Sequence, residues 1–111
     1  MRCFLLARMI FLKKTAKLKR ISRQKERELA VLMKSGNDDA RQKIVENYLL
    51  SVHARIKRLP EYMQSLEMIY RCVDALQKEV DKFDFWQENE AFEHRLSMIF
   101  RKVTTAYIAD M

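Results

Sequence analysis

The chain has a single glycine, Gly36, and a single proline, Pro60, among its 111 residues. A sheet-rich fold of this length needs several tight turns, and most tight turns require Gly, Pro, Asn or Asp. Helices joined by short loops need far fewer of these residues. Apolar residues make up 49% of the chain, which is enough to form a packed core. The sequence therefore predicts one all-α protein, a small bundle of four to five helices.

Apolar side chains recur at steps of three and four in several segments, which is the spacing of one helix face. The pattern is clearest from residue 66 to residue 83. Ser22 and Ser65 are candidate N-caps, and Gly36 is a candidate for the left-handed residue that ends a helix. The predicted helices cover residues 2–19, 22–35, 38–59, 65–83 and 90–108, with residues 84–89 as a loop.

Charge is distributed unevenly along the chain. Residues 1–60 hold 16 Lys/Arg and 5 Asp/Glu, giving +11, whereas residues 61–111 hold 6 and 10, giving −4. Eight of the fifteen residues 13–27 are basic, a density that attracts polyanions such as nucleic acid or anionic lipid. The alternative is that these charges form solvated helix faces. We divide the chain into a basic, amphipathic N-terminal helix over residues 1–20 and a helical domain over residues 21–111.

The residue types of common catalytic and metal sites do not occur at the required spacing. His53 and His94 lack a second ligand at metal spacing, and one glycine cannot form a phosphate-binding loop. The acids of residues 88–93 are expected to serve a helix dipole. We therefore expect no catalytic residue, no metal, no cofactor and no small-molecule substrate. Two cysteines, Cys3 and Cys72, are expected to be reduced thiols.

The N-terminus is apolar over residues 1–12 but is interrupted by Arg2 and Arg8. This run is too short to span a membrane, and its charges are not arranged as in a signal peptide. We expect a cytoplasmic protein. The lesser alternative is a helix that lies on a membrane surface, with Phe4 and Phe11 among its buried residues.

Two stretches resemble the bacterial sigma-seventy family of transcription initiation factors, in its conserved regions one-point-two and two. The first is residues 21–52, where Ser22, Lys34, Gly36 and Ala40 fall on the family pattern. The second is residues 66–84, which end in Val-Asp-Lys-Phe-Asp. The final residues, Thr-Ala-Tyr-Ile-Ala-Asp before the last Met, are similar to the end of the family's promoter-melting helix. Together the resemblance covers about residues 11–111.

The resemblance implies a sigma region-two-like fold that binds the clamp helices of the RNA polymerase core, and DNA as a further partner. By position, the implied polymerase-binding residues are Glu67, Tyr70, Arg71, Asp74, Gln77 and Lys78. The implied DNA-binding residues are Lys17, Lys19, Arg20, Arg23 and Phe92.

The chain departs from the family at the aromatic residues that capture unwound bases. The family's Tyr falls on Arg95 and its Trp pair on Met98 and Ile99, and only Phe92 is retained. Since each stacked base contributes about 1–3 kcal/mol, we expect that this protein does not melt a standard promoter unaided. The sequence favours a transcription protein. The alternatives are a sigma mimic or regulator that binds polymerase without melting DNA, and a basic helical adaptor at a membrane surface.

Overall fold

The computed structural model describes residues 20–87 and 90–111. Over these residues the chain is all-α, as predicted, with no strand. The elements are α1 (Arg23–Lys34), α2 (Asp38–Lys57), a single 3-10 turn (Glu61–Met63), α3 (Leu66–Lys82) and α4 (Phe92–Ala109). The helix predicted over residues 2–19 lies outside the described residues, as does the predicted N-terminal division over residues 1–20 apart from Arg20.

Local signals in the sequence determine where the first three helices begin. The hydroxyls of Ser22 and Ser65 accept hydrogen bonds from the third backbone N–H of α1 and α3, both at 3.1 Å. Asn37 Oδ1 accepts from the Ala40 N–H at 3.0 Å and caps α2 in the same way. Gly36 has a φ of +96° and ends α1, which confirms its predicted left-handed conformation. By contrast, the residue at the N-cap of α4 is Ala91, which has no side-chain oxygen to cap the helix.

The helices pack in chain order, α1 on α2, α2 on α3 and α3 on α4. In addition, α2 contacts α4 directly. These two helices run in the same direction, because Ser51 contacts Glu93 and Arg55 contacts Ser97 one turn later. The largest fully buried side chains come from α2 and α3: Ile44, Val45, Val52, Met68, Leu76 and Val80.

The observed core differs from the predicted stripes at helix ends. Leu32 and Leu66 fall on the apolar stripes of their helices, yet both are exposed. Leu32 lies in the last turn of α1 and Leu66 is the first residue of α3, where neighbouring helices cover less of the surface. Met68 and Cys72 lie on the buried face of α3 instead. Burial raises the pKa of the free Cys72 thiol to about 12, so this thiol packs as an apolar residue.

Candidate functional site

The side chains predicted to bind polymerase lie together on one outward side of α3. We call this surface the α3 face and define it by the six residues Glu67, Tyr70, Arg71, Asp74, Gln77 and Lys78. Four of them recur at steps of three and four and are exposed, and the other two lie at its margins. Tyr70 is its aromatic residue and is 64% exposed. The geometry thus brings the predicted set onto one continuous surface.

The charges of the α3 face form ion pairs along the helix. Lys78 Nζ lies 2.9 Å from Asp74 Oδ2, and Arg71 Nη2 lies 3.0 Å from Glu67 Oε1. These i,i+4 pairs hold the four side chains close to the helix surface. Tyr70 lies between these two exposed ion pairs on the surface of the helix.

Arg71 differs from the rest of the α3 face because it also connects α3 to the end of α4. Its Nη2 lies 2.9 Å from Asp110 Oδ2, and its guanidinium lies over the Tyr107 ring at 5.4 Å. Hydrogen bonds to Asp110 and Glu67 raise the pKa of the Arg71 guanidinium, so it stays charged. Arg71 therefore contributes to the packing of α4, whatever it contacts in a partner.

Of the residues predicted to bind DNA, Lys17 and Lys19 lie outside the described residues. Arg20 Nη1 pairs with Glu93 Oε1 at 3.1 Å, and Arg20 also donates to the Ser51 hydroxyl. Arg23 Nη2 donates to the Gln87 carbonyl at 3.1 Å. Both described arginines are thus held against the bundle by intramolecular contacts.

Phe92 lies inside the protein, where a base cannot stack on its ring. It is 2% exposed. Its ring centroid lies 4.3 Å from the ring centroid of Tyr48, 5.1 Å from that of Phe83 and 5.4 Å from that of Phe85. As the first residue of α4, it fills the space between α2 and the loop that follows α3. The geometry does not support the DNA contact predicted for Phe92 and gives this residue a place in the core.

A polar cluster of Arg20, Ser51, Arg55 and Glu93 joins three parts of the chain. Glu93 accepts a hydrogen bond from the Ser51 hydroxyl and pairs with Arg20 and, at 3.4 Å, with Arg55. The sequence had assigned Glu93 to a helix dipole, and its place in the first turn of α4 is consistent with that role. The ion pairs were missed because their partners are distant in sequence.

A cleft of about 170 Å³ opens beside this cluster, between α1, α2, the segment that joins α3 to α4 and the first turn of α4. The phenol of Tyr48 donates a hydrogen bond to Glu26 within it. Burial raises the pKa of Glu26, and the Tyr48 hydrogen bond opposes that shift. Burial and the neighbouring carboxylate also raise the pKa of Tyr48. The two groups satisfy each other, which indicates a structural pair rather than a reactive centre.

Trp86 is an exposed aromatic residue in the predicted loop over residues 84–89, and the sequence predicted no function for it. The structure places it beside Arg27, whose guanidinium carbon is 5.4 Å from its ring centroid. The only sequence signal for an exposed Trp86 was its position in the predicted loop, outside the apolar stripes of the helices. Among the described residues, no group of His, Cys, Asp and Glu could hold a metal ion.

Comparison with protein-family models gives no family for this chain. No solved structure matches it either. Within the described part of the chain, none of the helices combines the length and the apolar character needed to cross a membrane.

Proposed function

We propose that this protein is a sigma-like helical domain that binds the core of bacterial RNA polymerase through the α3 face. The sequence resemblance over residues 21–52 and 66–84 supports the class of partner. The observation that carries the proposal is geometric: all six residues implied by the resemblance occupy one side of α3, and four of them are exposed. A helix of 17 residues with one open side is suited to binding against partner helices.

Tyr70 is the anchor of the proposed interface. Exposed aromatic residues that become buried on binding commonly dominate the binding energy, and their removal costs about 2 kcal/mol or more. The flanking pairs, Glu67 with Arg71 and Asp74 with Lys78, offer both signs of charge to a partner. Charges at the rim of an interface affect specificity and association rate more than affinity. We therefore assign affinity to Tyr70 and orientation to the ion pairs.

Within this proposal, the geometry favours a regulator over an initiator. The residue that retains the family's Phe, Phe92, belongs to the core. Arg95, at the position of the family's Tyr, pairs with Glu79 at 3.4 Å and with Glu90 at 3.2 Å. No aromatic residue at these positions is available for an unwound base. The membrane-surface alternative depends on residues 4–12, which lie outside the described residues.

The test is binding of the full chain to purified core polymerase at low salt. Tyr70→Ala should weaken binding by about 30-fold, the equivalent of 2 kcal/mol. Lys78→Glu should weaken binding less than Tyr70→Ala does, and Lys43→Glu, the same charge change on the exposed side of α2, should leave binding unchanged. Arg71 is a poor choice for substitution because it also holds α4. Failure of the wild-type chain to bind, or equal binding by the Tyr70 variant, would refute the proposal.

A transcription assay then separates the two forms of the proposal. Core polymerase with this chain alone should give no specific open complex on a standard promoter. Added to polymerase that already carries a sigma factor, the chain should reduce transcription, and Tyr70→Ala should remove this reduction. Open-complex formation by the chain alone would instead identify an initiator.

A further inference from the structure

The charges of the α3 face alternate in sign along the helix. In chain order they are an acid, a base, an acid and a base: Glu67, Arg71, Asp74 and Lys78. The side chains of Glu67, Asp74 and Lys78 are 65%, 63% and 70% exposed. A row of charges in this order meets opposite charges when it is placed against a copy of itself that runs in the reverse direction.

The four charges are also symmetric about one point of α3, the midpoint between positions 72 and 73. Glu67 and Lys78 are equally far from this point along the helix, on opposite sides of it. The same is true of Arg71 and Asp74. A twofold axis through this point therefore pairs Glu67 of one copy with Lys78 of the other, and Arg71 with Asp74. A parallel pair in register would instead place each charge opposite its own kind.

The ion pairs within the chain leave donors for a second copy. Arg71 uses Nη2 for its contacts with both Glu67 and Asp110. A guanidinium has five N–H groups, so Nε and Nη1 remain for Asp74 of the second copy. The ammonium of Lys78 has three N–H groups, and Asp74 is its partner within the chain. Each base can thus hold its own acid and one from the other copy.

Tyr70 adds an apolar contact on one flank of this row of charges. Its ring is 64% exposed. Tyr70 and Gln77 lie two helical turns apart on the same flank of α3. The twofold axis places the Tyr70 rings of both copies on one flank of the pair, each beside Gln77 of the other copy. Burial of these rings supplies free energy that exposed ion pairs alone contribute only weakly.

From this self-complementarity we propose that the α3 face binds a second copy of this chain, as an antiparallel pair of α3 helices related by a twofold axis. Such a pair uses the same surface of both subunits, as symmetric dimers commonly do. A helix of 17 residues is about 25 Å long, so one helix pair buries less than the roughly 1,200 Å² of a stable interface. We therefore expect a weak dimer, with a Kd of about 10–100 µM.

This dimer forms without polymerase. Only its consequence rests on the proposed function: because the second copy covers the α3 face, the dimer cannot bind polymerase through it, and the monomer is the form that binds. Self-association then sets the concentration of the chain that is available to polymerase.

The first test is sedimentation equilibrium of the full chain at low salt, at concentrations on both sides of the expected Kd. Glu67→Lys or Lys78→Glu, each alone, places like charges opposite each other at two positions of the dimer, so each variant should remain monomeric. In an equal mixture of the two variants, every pair across the axis is again of opposite sign. The mixture should therefore associate about as strongly as the wild-type chain.

Matched controls carry the same charge changes on other helices. Glu28→Lys on α1 and Lys43→Glu on α2 alter exposed residues outside the α3 face and should dimerise as the wild-type chain does. Tyr70→Ala should weaken the dimer by about 30-fold or more. Circular dichroism should show that all variants remain folded. Three results would overturn the dimer: a wild-type chain that stays monomeric, single variants that associate like wild type, or a mixture that does not associate.

Disulfide cross-linking locates the axis. In the antiparallel pair, the two copies of residue 74 lie about 4–5 Å apart along the helix direction, whereas the two copies of residue 78 lie about 16 Å apart. In a Cys3→Ser background, mild oxidation should therefore join Asp74→Cys chains and leave Lys78→Cys chains unjoined. The native Cys72 is buried and should not interfere. Joining of the Lys78→Cys chains alone would overturn the antiparallel arrangement.

The cross-linked Asp74→Cys dimer also tests the consequence for polymerase. It should not bind core polymerase, and reduction of the disulfide should restore binding by the same chain. Equal binding of the oxidised and reduced forms would overturn the conclusion that the dimer covers the polymerase-binding surface. Failure of the wild-type chain to bind polymerase would refute the proposed function alone, because the sedimentation and cross-linking results do not involve polymerase.

Discussion

Replacement of Phe92 tests whether this residue belongs to the core or to a DNA-binding surface. Its ring is almost fully buried and contacts three other aromatic rings. Deletion of a buried Phe side chain costs about 3–5 kcal/mol, which includes the cavity that remains. Single domains are stable by only about 5–15 kcal/mol, so Phe92→Ala should remove a large share of the total.

Phe92→Leu gives a graded version of the same test. It retains an apolar side chain and loses the ring contacts, so we expect a cost of about 1–2 kcal/mol. For a domain of this size, each 1 kcal/mol corresponds to a Tm shift of about 4–8 °C. Urea unfolding followed by far-UV circular dichroism measures both variants, with unchanged m-values as evidence that the folded state is retained.

Trp86→Ala is the matched control, because it removes an aromatic side chain from the surface. Its cost should stay below about 1 kcal/mol, the contribution of the Arg27 contact. The result that would refute the core assignment is a Phe92→Ala variant within about 1 kcal/mol of wild type that nonetheless loses affinity for single-stranded DNA. That outcome would return Phe92 to the nucleic-acid surface.

Two further predictions concern Glu26 and Gly36. The pKa of Glu26 is raised above 4.5 in the folded state. Between pH 4.5 and the higher pKa of the folded state, the native protein therefore binds more protons than the unfolded chain. Lowering the pH through this window should therefore stabilise wild type relative to Glu26→Gln, and a stability difference independent of pH would contradict this. Gly36 has a φ of +96° and open space around it, so Gly36→Ala should cost about 1 kcal/mol from backbone strain alone. Gly36→Asn should cost less, and equal losses in urea unfolding would count against this explanation.

The sequence predicted the helices well where the signals are local. Ser22, Gly36 and Ser65 act within one turn of the chain, and the observed helix boundaries there agree with the predicted ones to within a residue. The start of α4 was predicted at Glu90 and is found at Phe92, where no capping side chain marks it. Local chemistry thus determined which boundaries could be predicted.

The contacts between distant segments could not be predicted. The helical spacing places Phe92 on the apolar side of α4, but it does not show whether the ring lies in the core or at the surface. Glu93 meets Arg20 and Ser51 only after α1, α2 and α4 have packed. The α3 face was predicted because all its residues lie on one helix, where spacing alone places them on the same side.

The missing cap of α4 has a consequence for the order in which the bundle assembles. The first three helices carry their own start signals and pack against their neighbours in sequence, so they can nucleate from nearby residues. By contrast, α4 depends on Ser51 and Arg55 of α2 to hold Glu93 in its first turn. We expect its amide protons to gain protection from exchange last during refolding. The helix with the fewest local signals then completes the core only after its neighbours have formed the surface that receives it.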